Sequence, residues 1–203
     1  MAELSSALFS IGVIFVALGF AAHVGHAVML ANGRRATLPI LAAARQPAYA
    51  GVVTGSFVTN STRAAASGPT LAASPSPLSR VAAALAVIAV GALGVSLLLR
   101  GIVVGRGPWG NMFEFTVAFS FSMVAGYLLL SRRYAIRSIG FIPLGVALAL
   151  LLYASSLPSE IEPLVPALQN APLLTIHVGM AVISYGIFAT SFGAGVGYLL
   201  QGQ

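Results

Sequence analysis

An all-α membrane protein, a bundle of five transmembrane helices with its N-terminus outside and its C-terminus inside, is what this sequence predicts. Three observations carry the prediction. The chain is 58% hydrophobic and only 7% charged over 203 residues, with a mean hydropathy of +0.96, and a soluble domain with that balance would expose apolar surface and aggregate. Its apolar residues gather into five runs, each long enough to cross a hydrocarbon core of about 30 Å, which takes about 20 helical residues. Its basic residues, all ten of them arginine, lie between those runs, so the net charge of +6 reads as a topology signal and not as a nucleic-acid footprint.

The runs fall at about Ser6–Ala31, Leu78–Leu99, Asn111–Leu130, Ser138–Ser156 and Ala171–Leu200 within one transmembrane domain, 1–203. Spanning segments of this kind must be helices, because a lipid-exposed strand would leave backbone groups unpaired. The first run is preceded only by Glu3 and is too long for a cleavable signal, which would also carry basic residues ahead of it. A connection rich in Ala, Ser, Gly, Pro and Thr follows, about 32–77. Its second half, Thr59–Ser79, reads as a flexible cytoplasmic linker, and Leu38–Ala50 gives a weak signal for a short interfacial helix. The third run opens at Asn111, a residue that can cap a first turn, with Glu114 placed to complement the helix dipole. The fifth opens at Asn170, with Pro172 in the first turn, where a missing N–H costs nothing.

Arginine placement sets the orientation. The first connection carries Arg34, Arg35, Arg45 and Arg63, with Arg80 at its far edge, and the third carries Arg132, Arg133 and Arg137. The fourth holds Glu160 and Glu162 and no base. The first and third connections therefore belong in the cytoplasm, and the Trp109 loop and Leu157–Asn170 belong outside. Arg100 and Arg106 dissent and are outnumbered.

Few residues can carry chemistry. There is no cysteine, hence no disulfide, thiolate site or thiol nucleophile, and no phosphate-cradling loop, internal repeat or soluble domain. His23 and His26 share one face of the first helix near its cytoplasmic end, where they either bond a neighbouring helix or serve a function. His177 sits differently. A helix from Ala171 to Leu200 would be about 45 Å long and would overrun the core by about 15 Å. With the surplus projecting outward, His177 lies at the outer interface, where it is either an interfacial residue or a ligand for a metal or haem iron. Gly179, Gly186 and Gly193 recur every seven residues and Gly193 and Gly197 form a GxxxG, which predicts close packing with the fifth helix inside the bundle. Arg100, Arg106 and Glu114 bracket Trp109, the only tryptophan, and suggest an ion pair or an anion site. The indole is expected at the membrane boundary with its N–H wet.

The string Pro108-Trp109-Gly110-Asn111-Met112-Phe113-Glu114-Phe115, together with the run Leu168 to Val178 continuing to Ser184-Tyr185, resembles the CcsA/ResC cytochrome c biogenesis proteins of the system II pathway. The resemblance extends from the second span to the end. It implies a haem-handling component of c-type cytochrome maturation that presents haem to apocytochrome c on the outer face of the cytoplasmic (inner) membrane. It implies haem b as cofactor, His177 as the axial ligand of the haem iron, Trp109 as a second cofactor-binding residue, and no catalytic residue in this chain. Any enzyme activity would be of the cytochrome c haem lyase type. The implied partners are a ResB-type membrane subunit, apocytochrome c and membrane lipid. That family's Trp-rich outer segment and second external histidine fall beyond the equivalent of Gln203, so the resemblance is to the family's N-terminal part. The competing readings are a membrane scaffold or assembly subunit without its own cofactor and, more weakly, a transporter, which would need an inverted repeat that the spans lack.

Overall fold

A computed structural model describes residues 2–44, 76–134, 136–160 and 170–201. Among these are five long helices: α1 (Ala2–Ala44), α2 (Pro77–Val104), α3 (Met112–Arg133), α4 (Phe141–Ser155) and α5 (Ala171–Gln201), with a 3-10 turn at Arg137–Ile139 before α4. All five are long and apolar enough, α4 with its preceding turn, to span a membrane. The described residues contain no strand. The fold is the all-α, multi-pass membrane bundle expected.

Element boundaries follow local chemistry. Ser76 caps α2, its hydroxyl accepting from the Ser79 N–H at 3.2 Å, and Pro77 takes the first helical position. The helix runs five residues past the expected Leu99 and stops at Gly105, whose φ of 67° is the left-handed conformation that suits glycine. Arg100 is thereby placed inside α2. Asn111 caps α3 as predicted, its Oδ1 accepting from the Glu114 N–H at 2.8 Å. Asn170 caps α5 through the Leu173 N–H at 3.3 Å. At 31 residues, α5 is about 46 Å long. α1 also departs from expectation. It continues beyond Ala31 to Ala44, with the helix-favouring Ala36 and Ala42 to Ala44 set against Gly33 and Pro39, which weaken a helix interior. The interfacial helix expected at Leu38–Ala50 is thus, up to Ala44, the end of α1. Residues 45–75, most of the expected linker, lie outside the described residues.

α3 is the central element and α5 the peripheral one. In α3, 61% of the spanning window is buried, against 17% in α5. α1 packs mainly on α2 and α4, and α3 contacts α2, α4 and α5. The core is made of Val16, Ala86, Leu93, Val117, Val124, Tyr127, Leu144 and Leu151. Polar ties reinforce it. Ser5 and Ser96 exchange hydroxyl-to-carbonyl bonds between α1 and α2. The Ser122 hydroxyl of α3 donates to the Val182 carbonyl of α5.

The glycine stripe does pack, but it does not place α5 inside the bundle. Gly186 lies against Ser122, and its carbonyl oxygen stands 3.3 Å from where a Cβ on Gly126 would be. Gly193 faces Ile142 and Pro143, and Gly197 faces Ile139. Small residues let two backbones approach closely along one face. The other faces of α5 are left exposed.

Candidate functional site

One end of the bundle gathers the C-terminus of α2, the loop 105–110, the N-terminus of α3, the chain after α4 and the N-terminus of α5. Its centre is Glu114, which is fully buried. The Glu114 carboxylate accepts from Arg100 Nε at 2.9 Å, from the Gly110 N–H at 2.8 Å and from Arg106 Nη1 at 3.5 Å. Arg100 Nη2 also donates to the Ser159 carbonyl, and its guanidinium carbon stands 4.8 Å from the Phe113 ring centroid. Asn111 Nδ2 donates to the Glu160 carbonyl at 3.0 Å. One carboxylate thus ties a helix end, a loop and a helix start, and the two arginines are spent on it. Of the two possibilities the sequence left for this cluster, the structure shows the ion pair.

Trp109 closes this end over α5. Its indole lies against Gly179, whose Cβ position would be 3.4 Å from the six-membered ring, and against Gly107 of its own loop. Its Nε1 is buried and has no hydrogen-bond partner among the described residues. The N–H expected to stay wet is turned inward, with the ring seated against α5 at Gly179. Beneath the indole lies an apolar cleft of about 370 Å³, lined by Leu97, Pro108, Phe121, Val182 and Ile183 among others. A second tie to α5 is polar: the Gly107 N–H donates to Thr175 Oγ1 at 3.0 Å.

His177 lies between those two anchor points, at the same end of the bundle as Trp109 but on the exposed side of α5. Its neighbours on the exposed surface are Leu173, Ile176 and Met180, which are 64%, 63% and 66% exposed. The structure therefore brings the two sequence-predicted site residues to one end without bringing their side chains to one face. His23 and His26 lie at the opposite end. His23 is buried, with Nδ1 donating to the Gly19 carbonyl at 2.8 Å; in the neutral ring, Nε2 then accepts from the Tyr127 hydroxyl at 2.8 Å. His26 Nδ1 pairs with the hydroxyl of Ser76 at 3.1 Å. Both are satisfied by their neighbours, the packing alternative of the sequence reading. No group of three or more His, Asp or Glu residues placed to hold a metal occurs among the described residues.

The residues that the sequence reading did not single out are Thr175 and Ser159. Thr175 stands inside the quoted run beside His177, and nothing in its type or spacing announces that its hydroxyl faces a loop N–H 68 residues away. The Ser159 contact is through its backbone carbonyl and has no sequence signature.

With this geometry in hand, comparison with known proteins gives one curated relative. The chain is similar to a cytochrome c biogenesis protein CcsA. That protein, from Porphyra purpurea, is 31% identical over 116 residues, covering 55% of this chain and 36% of the relative. The match thus spans about a third of the relative's length. No protein-family profile matches the chain, and no solved structure matches it.

Proposed function

We propose that this chain is a membrane component of c-type cytochrome maturation that handles haem, with His177 as an axial ligand to the haem iron. The likeness to a CcsA protein is the observation that carries this reading. The geometry supports it: the Pro108–Phe115 string forms a hydrogen-bonded plate seated on the first turns of the helix that bears His177. We place that end outside, the N-terminus outside and the C-terminus inside, on the arginine count, in the cytoplasmic (inner) membrane.

The surroundings of His177 suit a porphyrin. An exposed imidazole is flanked by three exposed apolar side chains, Leu173, Ile176 and Met180, a surface that a flat apolar macrocycle would cover. This chain supplies one imidazole there, since His23 and His26 are engaged at the other end, so the second axial position belongs to another element or to a ResB-type partner. Haem b, when bound, supplies the vinyl groups to which apocytochrome thiols add. The protein's part is to hold, orient and present it. Trp109 serves this site through the loop that holds α5.

The test is a titration of the purified full chain with haem in nanodiscs, read by the Soret band, together with complementation of cytochrome c maturation. His177→Ala is expected to abolish or shift the Soret band and to stop maturation, whereas His23→Ala and His26→Ala should do much less. Unchanged haem content and maturation in His177→Ala, at equal protein levels, would sink the assignment. The cofactor-free scaffold reading, which the exposed faces of α5 favour, would then replace it.

A further inference from the structure

Thr175 and Gly179 stand two residues before and two residues after His177. At 3.6 residues per turn, those two positions lie about 40° apart on α5, and His177 lies about 180° from the line that bisects them. Both inner positions are engaged by one loop: Thr175 Oγ1 accepts from the Gly107 N–H, and Gly179 carries the Trp109 indole. Below them the same face continues through Val182 and Gly186, both buried, with Gly186 against Ser122 of α3. The contacts at the top of the helix differ from those below in kind. The lower ones are close approaches between two long helices. The upper two come from a short loop that is itself braced by Glu114 through Gly110 and Arg106.

We propose that the Trp109 loop is an indexing device for α5. Thr175 and Gly179 are positioning residues that set the rotation and depth of the helix, so that the imidazole of His177 points away from the bundle. The group it binds then lies on the outward face of α5, with Leu173 and Met180, and not in the apolar cleft under Trp109. The haem part of this inference rests on the function proposed above; the rotational part does not.

The size of the seat makes the device specific. A Cβ at 179 would meet the indole at 3.4 Å, an ordinary contact, so Gly179→Ala leaves the seating intact. A branched side chain there would have to displace the ring or turn the helix. Thr175→Ser keeps the acceptor, and Thr175→Val removes it while keeping the shape.

A chain with one tryptophan and no cysteine is suited to the measurement. Single cysteines at Ile183 and Ser184, adjacent and at nearly the same depth, are labelled with bimane, a fluorophore that tryptophan quenches on close approach. Ile183, itself 61% exposed, borders the cleft with Trp109, whereas Ser184 is exposed on the His177 side of the helix. In the full chain in nanodiscs, the label at 183 is expected to be quenched severalfold more than the label at 184, and Trp109→Phe should abolish the difference. Gly179→Leu, and more weakly Thr175→Val, should shrink it, while Gly179→Ala and Thr175→Ser preserve it. Equal quenching at the two sites in the parent chain would overturn the rotational assignment. The same four variants are then titrated with haem. A shifted Soret maximum in Gly179→Leu and Thr175→Val, with the parent spectrum restored in Gly179→Ala and Thr175→Ser, supports positioning. Parent-like spectra in all four, with the band lost in His177→Ala, would overturn positioning and leave the haem reading standing. The expected quenching pattern combined with an unchanged spectrum in His177→Ala would uphold the rotation and overturn the haem reading.

Discussion

Replacing Glu114 with leucine removes the one acceptor that holds Arg100, Arg106 and the Gly110 N–H together. The Arg100 side chain is only 9% exposed, so its guanidinium would be left desolvated, with the Ser159 carbonyl and the Phe113 ring as its remaining partners. Removing one partner of a buried ion pair costs about 3–5 kcal/mol. Loss of the Gly110 bond, which has a charged acceptor, adds about 1.5–3 kcal/mol. Relaxation of the loop will return part of this, so the expected cost is about 4 kcal/mol, or roughly a thousandfold in the folding equilibrium. Arg106, at 3.5 Å, should matter less than Arg100 at 2.9 Å. The assay is denaturant-induced unfolding in mixed micelles followed by Trp109 emission, which reports directly on the loop. The decisive form is a cycle with Arg100→Met. Removing both charges puts an apolar pair in place of Arg100 and Glu114, with Arg106 and the Gly110 N–H still losing the carboxylate, and should cost less than the two single losses added together. Additive losses, or a Glu114→Leu cost under about 1 kcal/mol, would refute the claim that this carboxylate organises the end of the bundle.

Three further expectations follow from the same structure. Asn111→Ala should cost about 1 kcal/mol by the same unfolding assay through loss of the α3 cap, and Asn111→Asp, which keeps the acceptor, should cost much less. Gly186→Leu should separate α3 from α5, because a Cβ there already overlaps Ser122; the expected overpacking cost is about 1–3 kcal/mol, checked by unfolding and by loss of a crosslink between cysteines at Ser122 and Val182. Reporter fusions after Arg63 and Arg133 should read cytoplasm and one after Glu162 outside, and an outside signal at Arg133 would overturn the proposed orientation.

Helix number, type and several boundaries were legible because the causes are local. Asn111 and Asn170 cap the helices they were expected to cap, and α2 stops at Gly105 and α3 at Arg133. The interior placement of Arg100 was not legible. Cutting the second span at the first charge assumes that the charge faces water, and it fails when a buried carboxylate 14 residues later receives it. The peripheral place of α5 was misread for a related reason. A glycine every seventh residue shows that one face packs closely, and it is silent about the others. The direction of His177 could have been found from the same stripe, since residue 177 lies about 160° from residue 179 around a helix. What the stripe could not reveal is that Trp109 and Thr175 act on the inner side, because that contact joins segments some 70 residues apart.

The Glu114 cluster also bears on the charge argument for topology. Arg100 and Arg106 were the two bases on the wrong side of the positive-inside count. In the structure both spend their charge on Glu114, and Arg100 does so inside α2, not in the connection. The three groups together leave one net positive charge at that end, with Glu160 exposed beside them. At the other end Arg80, Arg132, Arg133 and Arg137 are all exposed and face no such acceptor among the described ion pairs. The positive-inside rule counts Lys and Arg and gives carboxylates little weight, so Arg100 and Arg106 still count against the proposed orientation, and it rests on the larger number of arginines at the other end. Arg100 Nε and Arg106 Nη1 are directed at a carboxylate the chain itself provides, and the proposed haem position lies on the outward face of α5, away from both.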